Sequence, residues 1–74
     1  MSDLKRKAIE VKRKHEKAWM SLDGVTAVGI GLHALQPAVI VSVHKNSEAI
    51  RKKIPEITEG VAIIIQDTGE FNAH

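Results

Sequence analysis

The side chains with chemistry to offer in this chain of 74 residues are four histidines, a few serines and acids, and two basic triplets. A shared metal ion needs imidazoles or thiolates that converge. There is no cysteine, and His15, His33, His44 and His74 show no HxxxH-type ligand spacing. His33 and His44 fall at opposite ends of an expected hairpin, about 20 Å apart at about 3.3 Å per residue, so they cannot share an ion. Ser21, Ser42 and Ser47 sit in no nucleophile turn, and no Ser-His-acid arrangement can be built around them. Glu56, Glu59, Asp67 and Glu70 read as solvated charges rather than an acid/base pair. Gly29-Ile30-Gly31 lies inside a strand, not at a strand-to-helix turn, so it is no phosphate loop. Its glycines point instead to close backbone approach by a neighbour. The expectation is a non-enzyme with no catalytic residue, no cofactor and no metal.

The elements that would position these residues follow from spacing. Leu4, Ala8, Val11, His15, Ala18 and Leu22 recur at helical intervals, predicting an amphipathic helix over 3–20. Ser2 or Asp3 would cap it, Glu10 and Lys14 would pair across one turn, and Trp19 would cover the end of the stripe. Asp23-Gly24 stops it. Strict alternation from Val25 to His33 predicts a strand whose aliphatic face is Val28, Ile30 and Leu32. A loop over 34–37 leads to a second strand at 38–44, rich in β-branched residues. A short helix runs from Asn46 or Ser47 to about Lys53 and ends before Pro55. A last strand occupies 61–66.

These elements predict an α+β domain, a two-layer sandwich in the order α-β-β-α-β. Residues 1–22 hold the basic helix, 23–67 the β-β-α-β unit and 68–74 a tail that Phe71 would tie down. Pairing Leu32 with Val39, Ile30 with Val41 and Val28 with Val43 puts the large aliphatics on one face. The second and third strands should be parallel across a right-handed crossover. With the first strand between them, the sheet is three-stranded and mixed, in order 2-1-3. Both helices would cover one face, including Ile30 and Leu32.

The opposite face is then open. Ala27, Gly29, Gly31, Ile40, Ser42 and Ile64 would lie on it, with Ala62 and Gln66, and they are the candidate partner-binding residues. The face is flat where residues are small and apolar at Ile40 and Ile64, which suits a protein partner or a second copy of the chain.

Charge gives the alternative. Residues 1–20 carry seven Lys/Arg against three acids, whereas the remainder carries four against six, so the formal net +2 belongs to the first helix. Lys5, Arg6, Lys12, Arg13 and Lys14 would present it to nucleic acid or an anionic surface. Against this, Trp19 and Phe71 are the only large aromatics, which leaves little for base stacking. No apolar run approaches the ~20 residues of a membrane span, and the charged N-terminus lacks a signal-peptide core, so a cytoplasmic location is the default expectation.

Three strings carry a resemblance: LDGVTAVGIGL at 22–32, PAVIVSVHK at 37–45 and IPEITEGVAIIIQDTGEF at 54–71. Together they resemble a small bacterial domain found N-terminal to trypsin-like serine protease domains and also as short stand-alone proteins. Its pattern has a "GVxGVGIG" strand, a "PxIVVxV" strand, an "IPxxIxGVPV" entry and a "TGEF"-type exit. The chain departs from it at Val61-Ala62, where the pattern often has proline. No protease domain is present, so no catalytic residue carries over. The resemblance implies an accessory role, as pro-domain, folding aid or interaction module, in which Phe71-Asn72-Ala73-His74 would be an inhibitory tail or a linker.

Overall fold

The structure, a computed structural model, describes residues 3–68. Helix α1 spans Asp3–Met20. It buries Ala8, Val11 and Trp19, with Leu4 and Leu22 packed partly against the same core. Trp19, not Ala18, completes the apolar stripe, and its ring stacks on His15 at 5.0 Å between centroids. The expected cap at Ser2 and the role given to Phe71 lie outside the described residues.

Strands β1 (Val25–His33) and β2 (Gln36–Val43) form an antiparallel hairpin. Its register differs from expectation by two residues: Ile30 faces Val39, Val28 faces Val41 and His33 faces Gln36. The turn is tighter than the expected loop over 34–37. Only Ala34 and Leu35 lie between the strands, both with positive φ (52° and 66°), as two-residue hairpin turns of the right twist require. A shift of two keeps every side chain on its face, so the expected division into an aliphatic and a small-residue face survives.

Helix α2 (Ser47–Lys53) and strands β3 (Ile57–Thr58) and β4 (Val61–Asp67) complete the domain. Asn46 holds the N-cap position of α2 in a left-handed conformation, but its side chain does not cap the helix. Its amide instead donates to the backbone and carboxylate oxygens of Asp23, tying α2 to the start of the hairpin. Ile54, before Pro55, is extended and ends α2. β3 was not foreseen; two residues are too short to show a period.

The sheet is four-stranded and mixed, in order β1-β2-β4-β3. β2 and β4 are parallel, as the crossover demanded, with Val39 beside Ile63 and Val41 beside Ile65. The expected three-stranded order 2-1-3 is therefore corrected: β2 is central and β1 is an edge. The physical reason lies in the side chains. β2 carries apolar residues on both faces, and with a neighbour at each edge even Ala38, on the open face, is buried. β1 has Ala27, Gly29 and Gly31 on one face and little to bury there.

One core holds the layers together. Val39, Val41 and Val43 are wholly buried with Val61 and Ile63, under Ala8, Val11 and Trp19 of α1 and Ile50 and Ile54 from the α2 segment. Each such aliphatic side chain contributes roughly 1.5–3 kcal/mol by leaving water. Both helices thus bury their apolar residues on the Val39–Val41–Val43 face. Ile30 and Leu32, expected beneath them, are exposed.

Candidate functional site

The base of the hairpin is fixed by Gly24. Its φ is +108°, and a Cβ there would collide with the carbonyl oxygen of Lys45. The close approach lets the His44 amide donate to the Gly24 carbonyl at 2.9 Å. His44 is thereby held at the base, while His33 pairs with Gln36 at the tip. No group of three potential metal-ligating side chains assembles among the described residues.

The open face assembles as rows across the strands. Ala27, Ser42 and Gln66 form one row, Gly29, Ile40 and Ile64 the next, and Gly31, Ala38 and Ala62 the third. All the candidate partner-binding residues therefore share one surface. Ile40 and Ile64 are half-buried rather than projecting. Part of the reason is Gly31, where an added Cβ would stand 2.8 Å from Ile40 Cγ1; the Ile40 side chain occupies the space that glycine leaves. Gly29 has no such neighbour, and nothing lies within 4 Å of its missing Cβ.

The exposed large apolar side chains lie elsewhere. Among the described residues they are Met20 (43 % exposed), Ile30 (38 %), Leu32 (73 %), Leu35 (92 %) and Ile57 (67 %). Ile30, Leu32 and Leu35 mark the distal half of β1 and the hairpin turn, and Ile30 and Leu32 face the helix layer. Residues 24–44 contain no Asp, Glu, Lys or Arg, in a chain that is 27 % charged. β1 is thus an edge strand of nine residues without a charge or a proline, two of the devices that normally blunt a sheet edge; its one irregularity, between Val25 and Ala27, lies at the base. Leu35 adds a second signal, because a bulky residue at positive φ is strained by about 1–2 kcal/mol. Its composition alone could have pointed to this site; the expected 2-1-3 order concealed it by placing β1 inside the sheet.

The position of α1 explains why the tip is bare. Lys7 and Lys14 reach Glu59, in the β3–β4 turn, at 3.2 and 3.4 Å. Hydrogen bonds from Lys7 and then Lys14 hold the Glu59 carboxyl below its ordinary value of 4.5. These pairs anchor one flank of α1 toward β3 and β4. The opposite flank, on the 100° helical step, carries Lys5, Ile9, Lys12, Glu16 and Met20, and so faces the β1 side. At its C-terminal end α1 passes through Leu22 into the base of β1, not the tip.

The basic residues are partly neutralised within the fold. Lys12 pairs with Glu16 at 3.0 Å, and Lys14 turns to Glu59 rather than to the expected Glu10, which stands 4.0 Å from Lys7. Arg6 and Arg13 are exposed, and Lys5 also has an interaction within the fold.

A groove of about 510 Å³ follows β4, lined among others by His33, Arg51, Ile54, Glu56, Ile57 and Ile63. Among the described residues that line it there is no serine or other alcohol. No described helix is long and apolar enough to cross a membrane. Comparison with protein-family models, curated proteins and solved structures gives no match.

Proposed function

We propose that the chain is a protein-interaction module that docks through the β1 side of its sheet. The observation that carries this is the gathering of Ile30, Leu32 and Leu35 along the uncharged edge strand and its turn. Contiguous exposed apolar surface on a small domain marks a contact site, and an open strand edge adds backbone hydrogen bonds to it. The small residues Ala27, Gly29 and Gly31 on the other face of the same strand let a partner approach without obstruction. The resemblance of residues 22–71 to domains that precede serine proteases supports a finer reading, an accessory module of the pro-domain or folding-aid type. The basic face of α1 is the weaker candidate, since Lys12 and Lys14 already engage carboxylates.

Affinity capture on the immobilised chain tests the proposal, with two variants beside the wild type. Leu32→Glu with Leu35→Glu should fold and lose the captured partners. Charge reversal at Lys12, Arg13 and Lys14 should keep them. The reverse pattern, with partners lost only on charge reversal, would transfer the function to the basic helix and nucleic acid or anionic surfaces.

A further inference from the structure

We infer that the occupant of this edge is a second copy of the chain, paired antiparallel through β1 about a two-fold axis near Gly29 and Ile30. The inference rests on the proposal that β1 is a docking side, and adds what docks there.

The strand suits itself as partner. An isologous contact sets a strand against its own sequence, so any charge near the axis would meet its like. From Gly24 to His44 there is none, while the interface cores of protein complexes are depleted in charge. In the hairpin, His33 and Gln36 close a two-residue turn. In such a turn the closing pair bonds across the ladder, so the alternate residues Val28, Ile30 and Leu32 direct their backbone groups to the free edge. With Ile30 on the axis, Val28 stands opposite the partner's Leu32. Outward-directed groups then meet outward-directed groups, and the aliphatic side chains of both copies share one face. On the other face Gly29 meets the partner's Gly31, where neither side chain obstructs the approach.

The helix layer completes the fit. Each copy leaves its own β1 tip bare, because α1 meets β1 at the base. Antiparallel pairing brings the base of one strand beside the tip of the other. Half-exposed Ile9, on the flank of α1 that faces the β1 side, would then approach the partner's Leu32, with the internally neutralised pair Lys12–Glu16 beside it.

The area fits a weak, concentration-dependent dimer. With Ile30 on the axis the two strands pair over 27–33, about 23 Å, and a sheet with one helix layer is about 20 Å thick. Such a slab covers about 460 Å² per copy, in the range of transient contacts rather than the ~800 Å² per partner of a standard stable interface.

The test is sedimentation of the full chain over a concentration series into the millimolar range, with a site-specific cross-link. Wild type should rise from its chain mass of 8.1 kDa to twice that. Leu32→Glu, at a position that is largely exposed, should keep the circular dichroism spectrum and remain at the single-chain mass. Because the chain has no cysteine, Ile30→Cys gives a single reporter. Mild oxidation should yield a disulfide-linked dimer from it and none from the control Ser47→Cys on α2. A wild-type mass fixed at one chain overturns the second copy as occupant, while the capture experiment still decides the docking side. A dimer that survives Leu32→Glu and gives no Ile30→Cys cross-link overturns the β1 pairing.

Discussion

Val28 and Val41 face each other across the hairpin, yet the strands that carry them live in different surroundings. β2 lies between β1 and β4, and Val39, Val41 and Val43 are fully shielded. β1 has a neighbour on one side only, and Leu32 stays 73 % exposed although it sits on the same aliphatic face. Both strands are uncharged, and each turns its large aliphatic residues to the same face. The difference comes from place in the sheet and from where α1 lies over it. An apolar residue on an otherwise buried face is therefore not evidence of burial; the roof above it decides.

The sharpest way to break the contrast is a charge at the centre. Val41→Asp leaves a carboxylate with no partner in a fully apolar surrounding, which costs on the order of the domain's whole stability. The expected result is loss of cooperative thermal unfolding by circular dichroism; a folded variant would mean that β2 is not the central strand. Next comes the junction that holds the two strands at their base. Gly24→Ala forces a Cβ onto the Lys45 carbonyl at a positive φ and should destabilise by about 2–3 kcal/mol in urea titration. Truncation at the tip should be much milder. Leu32→Ala should change the unfolding free energy by less than about 0.5 kcal/mol, measured on dilute protein so that association does not contribute.

The smallest effect concerns the ion pairs that tie α1 to the β3–β4 turn. Glu59 is paired by Lys7 and Lys14, which lowers its pKa. A lowered folded-state value means the stabilisation is fully present above 4.5 and is lost as pH falls through the lowered value. Wild type should exceed Glu59→Gln slightly in midpoint at neutral pH, and the two should converge in acid. Added salt should narrow the gap as well, because the groups are solvent-exposed. A gap that persists unchanged in acid would assign it to packing rather than charge.

Helix α1, strand β1, the crossover and the parallel β2–β4 pair were legible because period and punctuation agree there: an alternating run, a glycine stop, a proline after the second helix. Three things were not. Ala34-Leu35 lacks the Asn-Gly or Asp-Gly signature of a two-residue turn, so the register came out two residues off. β3 is held by local bonds, including the Ile63 amide to the Glu56 carbonyl at 2.8 Å, which no pattern announces. Strand order required reading β2 as apolar on both faces and β1 as small on one. Of the candidate site, membership of the open face follows from the alternation, but its rows do not, because register and strand order both differ from expectation. The bare tip did not, because exposure at Ile30 and Leu32 depends on a helix anchored by Glu59, 27 residues beyond Leu32 in the chain.

The parallel pairing of β2 with β4 also orders events in time. A hairpin closes in about 1–10 μs, and β1 with β2 needs only Ala34 and Leu35 between them. β4 reaches β2 only after residues 44–60 have formed the crossover, a slower closure of non-local contacts. In that interval β2 has a second open edge, and the charge-free stretch 24–44 shows two unpaired edges with nothing to repel a passing chain. Refolding yield should therefore fall as protein concentration rises. A short peptide matching Val61–Asp67, added in excess at the start of refolding, should compete for the vacant edge and slow the final step.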